Sequence, residues 1–232
     1  MRVAALIYEG EDQALAKANW KVACGECEAY IYRERDGVGY IEAPKGVCIA
    51  TFKELENLSE HLLLNAFCST HMASWREYDA FWFVNGIKLH PGTLPFLTSY
   101  LRADEACGVV MPSQVRAKNP LVVGGITTWA PIGLGGLVRV DAVRKIGPFR
   151  SMPELYIDWC WRLRKEGQYT ANVIYNALAD TVGTPWARTN KSQEPLTNFY
   201  EDTAIEKMRR LQGIPLQMTQ SWNARLREAG CV

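Results

Sequence analysis

Asp158 is a carboxylate at the start of a stretch predicted to be helical over 158–166, with Arg162 four residues on. A carboxylate at a helix start has its charge favoured by the helix dipole while its oxygens face outward, which is the setting of a general base. Arg162, one turn on, is the i, i+4 partner that can orient it. The same two residues serve equally as a helix cap and its ion pair, and both readings stand here. Other reactive types are sparse. Cys24 and Cys27 have thiol–disulfide spacing, but they end a predicted helix instead of preceding one. Without a second C-x-x-C, and with only His61, His71 and His90, neither a zinc site nor a hydrolase triad is supported. Gly133-Leu134-Gly135-Gly136 lacks the strand-then-helix context of a dinucleotide fingerprint.

A scaffold must position these groups. Short apolar runs predict strands at 2–8, 29–32, 39–43, 80–84, 108–111 and 169–175. The run at 80–84 is apolar throughout, as in a strand covered on both faces. Helices are predicted at 11–25, 51–75, 93–101, 140–146 and 158–166. In the second of these Phe52, Leu55, Leu58, Leu62, Leu63, Ala66 and Phe67 form a stripe, and Thr51 with Glu54 reads as a capping box. The alternation implies an α/β fold with a mixed, mostly parallel sheet flanked by helices. Ligands of such sheets lie beyond the carboxyl ends of the strands, here Tyr8-Glu9, the charged stretch 33–36 and Asn85-Gly86. The glycine-rich stretch 124–136 around Trp129 permits a sharp turn or close approach to a ligand. The organisation expected is one domain over 1–190, with a helical extension over 191–232 packed on it.

Composition narrows the class. In 232 residues, 48% hydrophobic and 22% charged, there is material for a sizeable core. A net charge of +1 gives no general reason to expect nucleic acid as a partner. The odd number of cysteines, seven, reads as reduced thiols. No run approaches the roughly 20 apolar residues of a membrane span, and no secretory signal is evident, so the cytoplasm is the expected compartment.

Two segments carry a resemblance. Ile146-Gly147-Pro148-Phe149 followed by Tyr156-Ile157-Asp158-Trp159-Cys160-Trp161-Arg162-Leu163-Arg164-Lys165-Glu166-Gly167, with the segment 81–94, resembles the GT-A fold of family 2 glycosyltransferases, in particular rhamnosyltransferase-like members. A weaker match covers 200–213. The resemblance implies transfer of a sugar from a nucleotide-sugar donor to a hydroxyl of a glycan, protein or other acceptor. Inversion is implied, with Asp158 as base and Arg162 beside it. It assigns donor binding to Tyr8, Glu9, Glu34, Asp36, Asn85, Gly86 and Lys88, and acceptor stacking to Trp129 and Trp159. It also implies Mn²⁺ or Mg²⁺ on the diphosphate, with Asn85 and Asp180 as the remaining ligands. The chain departs from the pattern where Gly86 replaces the acidic residue and Leu155-Tyr156 replaces the first acid of the paired block. Lys88 could then neutralise phosphate directly. The alternative is a non-catalytic module that binds a nucleotide sugar or glycan.

Overall fold

The computed structural model describes residues 1–10, 12–53, 60–73, 77–113, 125–127, 134–150, 159–160, 162–163 and 166–181. It opens with β1 (Val3–Tyr8), α1 (Gln13–Glu26) and β2 (Glu28–Arg35). β1 and β2 pair in parallel from Ala4↔Glu28 to Tyr8↔Tyr32. Asp12 starts α1 by accepting a hydrogen bond from the Leu15 amide at 2.9 Å. β2 doubles back into β3 (Val38–Ala43) through Asp36 and Gly37, at φ 51° and 73°. Two successive left-handed residues are what a tight hairpin requires, and an Asp-Gly pair supplies them at low cost.

A single 3-10 turn, Pro44–Gly46, leads to β4 (Val47–Phe52), α2 (Glu60–Met72), β5 (Ala80–Val84), β6 (Ile87–Leu89) and α3 (Thr93–Ala103). Then come β7 (Cys107–Ser113), β8 (Gly125–Thr127), β9 (Leu134–Arg139), α4 (Val140–Ile146) and β10 (Thr170–Thr181). The sheet order is β4-β3-β2-β1-β5-β9-β7-β10-β6, with β8 alongside β10. β1, β2, β5, β7 and β10 run in one direction, and β9 is wedged antiparallel between β5 and β7. All five carboxyl ends therefore share one edge. From β1 the chain steps to β2 on one side and later returns to β5 on the other, so the edge between β1 and β5 is a topological switch point.

Alternation along each strand builds two cores. Ala4, Leu6 and Tyr8 join Leu63, Leu64 and Phe67 of α2, with Val143 and Ile146 of α4, on one face. Val3, Ala5 and Ile7 join Ala23 of α1 and Leu94, Leu97 and Leu101 of α3 on the other. Each of the Val, Leu, Ile and Phe side chains contributes about 1.5–3 kcal/mol when fully buried. Arg139 of β9 ties α3 to the sheet, donating to the carbonyls of Leu101 and Asp104 at the end of α3 and of Cys107 at the start of β7.

Several expectations are corrected. Thr51 lies in β4 opposite Tyr40, so it caps no helix, and α2 begins only at Glu60. Val47, Ile49 and Thr51 are β-branched and suit a pleated edge better than a first helical turn. Part of the glycine-rich stretch is strand β9. At Gly135, φ 82°, a Cβ would collide with Ile87 and press Pro112 at 3.2 Å, so the close approach is to the protein's own side chains. The extension over 191–232 lies outside the described residues. No helix among the described residues is long and apolar enough to cross a membrane.

Candidate functional site

The switch point brings together residues from β1, β2 and β5. Tyr8 and Asn85 each follow the last register pair of β1 and β5, Ile7↔Val84, and so stand side by side. Both are buried. By strand alternation they project to the α2 and α4 face, where Tyr8 packs edge-on against Tyr32 at 6.0 Å. On the opposite face Glu9 and Glu42 bracket the Arg33 guanidinium at 3.2 and 3.5 Å. The Glu9 contact is an ion pair, not an aligned hydrogen bond. Glu34 is exposed and accepts the Tyr32 hydroxyl at 2.8 Å. Past Asn85, Gly86 at φ 64° turns the chain into β6, which pairs antiparallel with the far end of β10. There Lys88 opposes Asp180, and the Asp180 carboxylate meets His90 Nε2 at 3.0 Å.

A second cluster lies on the α2 and α4 face. Arg162 is 2% exposed, and its two Nη groups donate to the carbonyls of Ile146 and Pro148 at 2.9 Å each. Trp159 donates its indole N–H to the Gly147 carbonyl at 3.1 Å and stacks on Phe149 at 5.3 Å. Phe149 in turn packs on Phe83 of β5 at 6.0 Å. From α2, Asn65 holds both the amide and the carbonyl of Phe149 at 2.8 Å. Arg162 thus satisfies carbonyls at the end of α4, a helix terminus where cations are favoured. Gly167 closes the unit, since a Cβ there would strike Ile146 and the Leu163 carbonyl at 2.6 Å each.

No protein-family model matches the chain, and no curated protein matches it. The site therefore rests on its own geometry.

Of the residues singled out from the sequence, Tyr8, Glu9, Asn85 and Gly86 come together at the switch point, with Glu34 nearby on β2. Asp36 does not join them, because it forms the tip of the β2–β3 hairpin, four residues past Tyr32. Trp159 has no exposed surface to offer an acceptor sugar, since its ring and its N–H are both committed to the core. Arg162 is buried on backbone carbonyls, and this makes it a positioning residue. Asp158 and Trp129 lie outside the described residues. Asn19 and Asn65 are not candidates from the sequence, and Arg33 and His90 enter there only as part of a charged strand end and as one of three histidines. Asn19 and Asn65 carry a weak signal, an asparagine inside a predicted helix, where its amide competes with the backbone.

The donor set does not fit a hard divalent cation. Such ions want several anionic oxygens. Asn85 is neutral and buried, Gly86 has no side chain, and Asp180 already faces His90 and Lys88. Among the described residues no three His, Cys, Asp or Glu side chains converge. The Cys24–Cys27 pair is equally unsuited to redox work. Burial first, then Cys24, Glu26 and Glu28, push the Cys27 thiol up to about 12, and burial also raises Cys24. Reactive thiols need the opposite shift.

Proposed function

We propose that the chain is an inverting glycosyltransferase of GT-A type, similar to family 2, that moves a sugar from a nucleotide-sugar donor to an acceptor hydroxyl. The observation that carries this reading is the junction made by Trp159 and Arg162 with residues 146–148. The two halves of the resembling block are bonded to each other as one unit. Trp159, the residue after Asp158, packs through Phe149 onto β5 two residues before Asn85. Asp158 removes the acceptor proton as the hydroxyl oxygen attacks the anomeric carbon, and the nucleoside diphosphate leaves with the electron pair of the broken bond. Glu9, partly exposed beside Arg33 at the end of β1, supplies a carboxylate that suits the hydroxyls of a nucleoside.

Nucleotide release from UDP, GDP and dTDP sugars across a panel of acceptors tests the reading. Asp158→Asn is expected to abolish transfer while nucleotide binding persists. Full activity in that variant would overturn the base assignment. The neutral Asn85-Gly86 turn favours one rival, a binding module without turnover. Tight binding of a donor with no release on any acceptor would decide for it.

A further inference from the structure

We infer that the cationic partner of the donor diphosphate is Lys88, on a strand that Asn19 holds in place, and not a divalent metal; this rests on the glycosyl-transfer reading. β6 is only three residues long and would not keep its place unaided. On one side it pairs with β10. On the other, Asn19 of α1 donates to the Ile87 carbonyl at 2.7 Å and accepts from the Leu89 amide at 2.9 Å, as a neighbouring strand would. Asn19 is 3% exposed, so water competes little for these bonds. Ile87 and Leu89 are buried among the α1 and α3 residues, and the pleat therefore turns Lys88 outward.

This places the backbone of an exposed lysine three residues past Asn85, opposite the carboxyl end of β10. Its cross-strand neighbour Asp180 contacts His90. The one carboxylate there is thus already engaged by His90 and opposed by Lys88, and a single engaged carboxylate falls short of the several anionic oxygens a dication wants. In the transfer step the bond between the anomeric carbon and the diphosphate oxygen breaks, and its electrons stay on the diphosphate. The acceptor oxygen forms the new bond and its proton passes to Asp158. Lys88 offsets the charge gathering on the departing oxygens without bonding covalently.

Calorimetric titration of the whole chain with pyrophosphate, UDP and GDP, in EDTA and again in MnCl₂, tests this. The wild type is expected to bind in EDTA, with Mn²⁺ tightening binding by no more than about threefold. Lys88→Gln should weaken binding by about tenfold or more, the scale of a charge-assisted contact, while Lys88→Arg keeps most of it. Asn19→Ala should weaken binding in the same way with its circular dichroism unchanged. The Lys88 pair decides if Asn19→Ala does not fold. Binding that requires Mn²⁺ and ignores Lys88→Gln would overturn this inference and leave sugar transfer standing. No binding of any of the three compounds in either buffer would remove both.

Discussion

Asn65 meets the backbone of Phe149 as an adjacent strand would, donating to its carbonyl and accepting from its amide at 2.8 Å each. Asn19 does the same to Ile87 and Leu89 on the opposite face of the sheet. One asparagine from each helical layer thus fixes a segment near the strand-end edge: the one after α4 and the one after β5. Asn65→Ala removes both bonds and leaves two backbone groups without this partner. It should lower stability by about 2 kcal/mol in urea denaturation. Asn65→Asp should fail to rescue it, because a carboxylate cannot donate to the Phe149 carbonyl.

Arg162 makes the corresponding connection to the segment after α4. Arg162→Met keeps most of the apolar stem but strips the donors from the carbonyls of Ile146 and Pro148. The expected loss is about 2–3 kcal/mol, read from the shift of the urea midpoint at constant slope. Arg162→Lys should recover only part of it, since one ammonium cannot reproduce a forked pair of N–H groups. A variant as stable as the wild type would show that the junction contributes little.

The pH dependence of stability has an identifiable source in His71. It is 4% exposed, its Nδ1 lies 2.8 Å from the Phe67 carbonyl, and Tyr30 packs edge-on against its ring at 4.3 Å. Burial lowers its pKa, outweighing the Phe67 carbonyl and Glu28, which raise it. The unfolded chain therefore binds the proton more readily than the folded one. Stability is complete above the ordinary histidine pKa of about 6.5 and falls as pH drops below it. The urea midpoint should decrease between pH 7.5 and pH 5, and His71→Phe should flatten that decrease. An equal slope in the variant would assign the effect elsewhere.

Cys27 should be nearly inert to thiol reagents. With its pKa pushed up to about 12, thiolate is scarce at neutral pH, and the carboxyl end of α1 adds negative potential. Cys24 is exposed, so it should react in preference to Cys27 with a disulfide reagent at pH 8. Rapid labelling of Cys27, confirmed by mass spectrometry of the modified peptide, would contradict the environment described.

The legible and illegible parts of the fold divide along physical lines. β1, β5 and the α3 helix follow from apolar runs and periodicity, because each is long enough for its own pattern to decide its state. β6 is not legible, since a three-residue strand exists only because Asn19 and β10 hold its two edges. β9 hides in a glycine-rich stretch, in which Gly135 makes room for Ile87 and Pro112. The stretch 33–36 reads as a charged turn at a strand end, whereas the strand continues to Arg35 and turns back through Asp36 and Gly37. The rule that ligands sit at strand carboxyl ends points to Tyr8 and Asn85, and the register of β1 and β5 sets these two residues side by side. No local pattern separates a tryptophan that stacks on ligand from one like Trp159 that fills the core.

Sugar transfer through a carboxylate base is tested most directly by single-turnover nucleotide release with Asp158→Asn beside the wild type, each paired with calorimetric nucleotide binding. The account predicts that release falls by about three orders of magnitude or more, within the range by which general-base groups accelerate reactions, while affinity changes by less than about threefold. Equal release by both proteins, or no release by the wild type with any donor and acceptor, would contradict it.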